Sequence, residues 1–139
     1  MKMDYIKWDD SYNVHHELID SQHRIFVMIL NKLILNITKG VSKEDMFRIL
    51  DELEKYAEFH FRSEENVMYE CQYPGLSNHE QIHSEILHEL HVLTERLAED
   101  RGRPEDIVEM LRKWFFSHVL NEDSHISQYV RDHPSQVRF

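Results

Sequence analysis

The sequence predicts an all-α fold, an antiparallel up-down-up-down four-helix bundle preceded by an N-terminal arm. Three observations carry that expectation. Only three Gly and three Pro occur in 139 residues, a composition that favours helix. The few breakers, with candidate caps beside them, fall at regular intervals along the chain. Between them, apolar residues recur at alternating steps of three and four, the spacing of one helix face.

The elements follow in order. An arm over residues 1–17 carries Trp8. A first helix over roughly 18–38 stops at Gly40, which follows LILNITK as a C-terminal glycine. Ser42, with Asp45 three residues on, caps a second helix over roughly 43–70. Tyr73-Pro74-Gly75 is a loop, and Ser77 with Glu80 forms a capping box for a third helix over roughly 78–100. Gly102 and Pro104 precede a fourth helix over roughly 105–126, with Pro where a first turn tolerates it, and Pro134 closes the last segment. Short connections make neighbouring helices antiparallel. The whole chain, 1–139, is expected to form one domain.

Composition narrows the function. A formal net charge of −10 argues against nucleic acid or an anionic membrane as partner. The longest apolar run, IFVMIL at 25–30, is far short of a bilayer span, and MKMDYIKWDD has no apolar stretch of the secretory type. One cysteine, Cys71, fits a reducing compartment, so a cytoplasmic domain is expected. Histidine is the anomaly, with 11 residues.

The inward stripes locate the anomaly. They run through Ile19, His23, Phe26, Leu30, Leu33 and Ile37; through Met46, Leu50, Leu53, Ala57, His60, Glu64 and Val67; through His79, His83, Ile86, Leu90, Leu93 and Leu97; and through Ile107, Leu111, Trp114 and His118. Every helix therefore has a histidine in phase with its core. With alternating helix directions, His23, His60, Glu64, His79, His83 and His118 all map to one end of the bundle. Unpaired, such groups would each cost several kcal/mol, whereas neutral imidazoles and carboxylates are ligands for first-row transition metals. Five histidines over-supply one tetrahedral ion, so two ions sharing carboxylates fit the count better. For a second carboxylate or further ligand the fourth helix offers Glu122, Asp123 and His125. Asp123 lies five residues beyond His118, off the stripe unless a π-type turn restores it; His125 is in phase but roughly 10 Å further along the axis. Periodicity leaves that choice open.

The order His23, His60-x3-Glu64, His79-x3-His83, His118-x4-Asp123 resembles the hemerythrin family, its single-domain bacterial members above all. IDSQH at 19–23, HFRSEE at 60–65, the M-x4-YP segment at 68–74 and Trp8 resemble the family as well. The resemblance implies a non-haem centre of two Fe ions, bridged by an oxo or hydroxo group, that binds O2 reversibly for storage, transport or delivery without turnover. It implies His79, His83 and His118 on one iron, His23 and His60 on the other, and Glu64 and Asp123 as bridges, favouring Asp123 over His125. It leaves redox or oxygen sensing, or reaction with peroxide or nitric oxide, as the alternative. Two carboxylates among five imidazoles carry less negative charge than a four-carboxylate site and so favour holding O2 over splitting it. Ile19, Phe26, Leu87, Trp114 and Phe115 are placed to wall the site. A monomer or small oligomer is expected, with a protein client for oxygen or iron as a further partner. Two features depart from the bacterial pattern: Asn13-Val14-His15-His16 in place of a glycine-containing turn, and Ile126 in place of a tyrosine.

Other tempting residues have simpler expectations. His15, His16 and Glu17 precede the first helix and are assigned to the surface, as are His88, His91, His125 and His133. Glu65 is expected to point away from Glu64 into solvent, with contact to a ligand from behind as the alternative. Cys71 is expected to be an exposed loop thiol.

Overall fold

In the computed structural model, residues 4–40 and 42–134 are described, so the ends of the expected arm and domain, 1–3 and 135–139, lie outside the described residues. The described residues form helices and no strand: a 3-10 turn at Asp10–Tyr12, α1 at Glu17–Lys39, α2 at Lys43–Glu70, α3 at Leu76–Ala98, α4 at Pro104–Lys113, a π-helical segment at Trp114–Val119, and α5 at Leu120–Asp132. The residues joining α4, the π segment and α5 keep right-handed helical dihedrals, so these three make one continuous fourth helix. α1 packs against α2 and α4, and α3 packs against the same two helices, which closes the four-helix bundle.

Capping chemistry sets the ends. Gly40 takes the left-handed conformation (φ 64°) that a non-glycine residue adopts only with strain. The Ser42 hydroxyl accepts the Asp45 N–H at 3.2 Å, as expected. α3, however, begins at Leu76, ahead of the expected Ser77 cap. Gly75 takes the cap position through backbone alone, its carbonyl accepting the His79 N–H at 3.0 Å. Tyr73 crowds that position, since a Cβ at Gly75 would lie 2.8 Å from the ring and the ring would have to move. The fourth helix also outruns its expected end at 126 by several residues, to Asp132. No breaker precedes Pro134, and the residue before a proline is the first that resists helix.

The core contains Phe26, Leu30, Leu33, Leu50, Leu53, Phe61, Leu90, Leu97, Leu111 and Phe115, all buried. The arm is tied over the first and fourth helices. The Asn31 side chain both accepts from the Ile6 N–H and donates to the Ile6 carbonyl, each at 2.8 Å. Asp20 accepts the Val14 and His16 N–H groups, and Arg131 donates to the Val14 and His15 carbonyls. Trp8 and Tyr12 meet edge to face and both lie against Phe115, while the Arg24 guanidinium sits 5.1 Å over the Trp8 ring. The arm thus covers the helix face that carries Phe115.

Leu53 is fully buried in the middle of α2. Leu53→Ala is expected to cost about 2–5 kcal/mol of unfolding free energy in urea with helical content kept. A loss under about 1 kcal/mol would show a core looser than described.

Candidate metal centre

The candidate residues arrive from all four helices. α1 contributes His23 near its start, α2 His60 and Glu64 one turn apart near its end, and α3 His79 and His83 one turn apart near its start. The fourth helix contributes His118 within its π segment and Asp123 just beyond it. His23, His60, Glu64, His79, His83 and Asp123 are buried to within 3% exposure, so the site is closed to bulk water on these sides. His118 is half-buried.

These side chains form two overlapping groups that could hold an ion. His23, His60, Glu64 and Asp123 make one, and Glu64, His79 and His83 make the other, so Glu64 belongs to both. His118 stands beside the second group, its ring stacked on His79 at 5.6 Å between centroids. The structure therefore brings six of the expected residues into shared groups and places the seventh adjacent to them. The π segment lies at Trp114–Val119, beginning before the His118–Asp123 step, and Asp123 faces the cluster. His125 is exposed and faces away.

Hydrogen-bond accounting tests whether a cation fits. His60 Nδ1 lies 2.7 Å from Gln22 Oε1, an oxygen that only accepts, so Nδ1 carries the proton and Nε2 presents a lone pair inward. That Nε2 faces Glu64 Oε2 at 3.5 Å, and both atoms are buried without a hydrogen-bond partner. His83 repeats the pattern. Its Nδ1 lies 2.8 Å from the Glu65 carboxylate, while its Nε2 faces Glu64 Oε1 at 3.2 Å. At His60 an acceptor thus meets an acceptor in a dry interior, at about 1–3 kcal/mol for each group left so, whereas Glu64 Oε1 also has His79 Nε2 at 2.9 Å. His23 Nδ1 and His118 Nε2 are also buried without partners. A cation beside Glu64 would resolve the mismatch between His60 Nε2 and Glu64 Oε2, and mixed imidazole and carboxylate donors suit a first-row metal. The residues fit such an ion.

Electrostatics keeps the donors available. Burial, together with the neighbouring His60 ring, lowers the His23 pKa to about 3, and burial also lowers His60 and His118. Burial opposes charge on Glu64, yet the imidazoles of His79, His83 and His60 outweigh it and hold its carboxyl well below the usual range. Burial and the facing negative charge of Glu64 push Asp123 well above its usual range. Burial thus favours the neutral, ligand-ready form of His23, His60 and His118.

Three assignments need correction. Glu65 does not point into solvent: its carboxylate bonds His83, and only 12% of its side chain is exposed. It sits one residue from Glu64, about 100° round the helix, which turns it towards α3, a direction visible only once α3 is docked. Cys71 is buried, and burial raises its thiol pKa, so it is no exposed reactive thiol. His16 caps α1, its Nδ1 accepting the Ile19 N–H at 3.3 Å. Gln22 was missed altogether; it lies beside the stripe, and its role depends on where α2 packs. His88, His91, His125 and His133 are exposed, as expected.

Fold and site together define a four-helix-bundle protein built to hold a cation. The model of the hemerythrin HHE cation-binding domain matches residues 14–130. A bacteriohemerythrin of Stenotrophomonas maltophilia is 31% identical, over 96% of this chain and 92% of that protein. A bacteriohemerythrin of Pseudomonas paraeruginosa is 25% identical, over 97% of this chain and 88% of its own length. The myohemerythrin of Riftia pachyptila is also 25% identical, over 84% and 86% respectively. The chain belongs to the hemerythrin family.

The pKa directions fix a pH dependence for the metal-free protein. Folded His23 stays neutral down to about pH 3, while in the unfolded chain it protonates near its ordinary 6.5. Between those values the unfolded state binds more protons, so stability falls as pH drops through the window and this loss levels off below it. His60, His118 and Glu64 add in the same direction, and Asp123 opposes them. Urea melts of the metal-free protein at pH 7, 5 and 4 should show a declining midpoint; a flat or rising profile contradicts neutral burial of His23, His60 and His118.

Proposed function

We propose that the chain binds O2 reversibly at a non-haem centre of two iron ions, serving oxygen storage, transport or delivery without turnover. The observation that carries this reading is the pair of ligand groups sharing Glu64, with inward acceptor atoms that have no donor. His23 and His60 would hold one iron and His79, His83 and His118 the other, with Glu64 and Asp123 shared between them. When bound, the iron pair supplies the reversible affinity for O2 and the electrons it draws on.

The chain's own residues do the rest. Five neutral imidazoles and two carboxylates keep the site's negative charge low, which favours holding O2 over splitting it. Ile19, Phe26 and Phe115 are almost fully buried, and Phe115 lies 6.0 Å from the His23 ring, so this side of the site is apolar and dry. Phe61 stacks flat on His83 at 4.0 Å and restrains that ring. Trp8 and Tyr12 seal Phe115 from outside. Leu87 is only half-buried and lines a surface groove beside His83. Among the described residues no helix is long and apolar enough to cross a membrane. The single cysteine supports a cytoplasmic setting.

Glu64→Ala and His118→Ala are expected to abolish oxygen uptake by the reduced, iron-loaded protein while circular dichroism keeps most of the helix signal. Full, reversible uptake by either variant contradicts the assignment. Excess peroxide or nitric oxide with a reductant should give stoichiometric reaction; many turnovers per chain would replace the carrier reading with an enzymatic one.

A further inference from the structure

Two side chains outside the ligand set end on ring nitrogens of inner histidines, and they differ in charge. Glu65 places a carboxylate oxygen 2.8 Å from His83 Nδ1. Gln22 places a neutral amide oxygen 2.7 Å from His60 Nδ1. Each outer residue is itself held in place. The Gln22 amide nitrogen donates to Ser63 Oγ at 3.0 Å, which fixes the amide with its oxygen towards His60. Glu65 lies between His83 and the exposed Arg62, whose guanidinium is 3.7 Å from its other oxygen.

We infer that Glu65 and Gln22 are positioning residues that lock His83 and His60 in the tautomer with Nε2 inward, and that their difference in charge sets the two metal positions apart in affinity. The inference rests on the two-metal reading above. A carboxylate accepting Nδ1–H pulls the ring towards imidazolate and makes Nε2 a stronger donor; a neutral amide orients the ring but adds little basicity. The two contacts fall in different ligand groups. His83 sits with Glu64 and His79, and His60 sits with His23, Glu64 and Asp123. Each outer residue therefore acts on one metal position and not on both. Each support comes from the helix next to its ligand: Gln22 of α1 beside His23 reaches His60 of α2, and Glu65 of α2 beside Glu64 reaches His83 of α3.

The test is an anaerobic titration of the metal-free chain with cobalt(II), followed by its visible absorption and by competition with a chelator. The wild type should take two ions in two resolvable steps. Glu65→Gln, which keeps shape and removes charge, should weaken one step by about 10–100-fold and leave the other within about 3-fold. Gln22→Leu should weaken the other step, because it leaves the His60 Nδ1–H without an acceptor. Glu65→Asp, which restores the charge, should recover part of the lost affinity, and urea melts should show each metal-free variant folded. If the wild type binds two ions and both variants match it, or if each variant lowers both steps equally, the inference is overturned. If the wild type binds fewer than two ions, the two-metal reading falls first.

Discussion

The constraint on which this structure depends is a layer of hydrogen-bond acceptors facing one another in a dry interior. His60 Nε2 faces Glu64 Oε2, both buried without a partner, and His83 Nε2 faces Glu64 Oε1, and an ionised Glu64 supplies no donor to either ring. Cores avoid such contacts because each costs more than a typical surface interaction returns. Here they occur at one end of a bundle whose other layers are Leu, Ile and Phe in ordinary close packing. The rest of the chain holds those acceptors in place. Cap residues set the helix starts, a 23-residue α3 and a 28-residue α2 place His79 and His83 opposite His60 and Glu64, and the arm covers the apolar flank at Phe115.

The π segment shows how local backbone serves the same layer. In a uniform α-helix the step from His118 to Asp123 advances about 500°, which leaves the two side chains well off a common face. The i→i+5 segment at Trp114–Val119 begins before that step and ends one residue into it, and beyond it Asp123 is buried against Glu64 while His118 stacks on His79. Such a turn weakens helix geometry locally. Its own Trp114, Phe115 and Val119 are all buried, so apolar packing offsets the loss.

Much of this was legible in the sequence, for reasons that differ by residue. The bundle followed from breaker spacing and from apolar stripes, because helix periodicity is a local property. His60 and Glu64 stood out because a polar pair on an apolar stripe has no inexpensive structural explanation. Asp123 was ambiguous on periodicity alone, since a π turn has no sequence rule as sharp as that of a cap. Glu65 and Gln22 were misread or missed because their partners sit on other helices. A side chain one position off the stripe looks solvated until its neighbour is docked. Cys71 was misjudged for the same reason, being covered by tertiary packing at the end of α2. The early start of α3 shows glycine taking over a cap that a nearby serine advertised.

The most direct measurement is the visible spectrum of the reduced, iron-loaded protein carried from argon to air and back to argon. A reversible carrier gives a charge-transfer band that appears in air, disappears on deoxygenation and returns through repeated cycles, at two irons per chain. A one-way change to an oxidised spectrum that argon does not reverse would contradict it, leaving a cation site whose chemistry is reaction with oxygen and not its carriage.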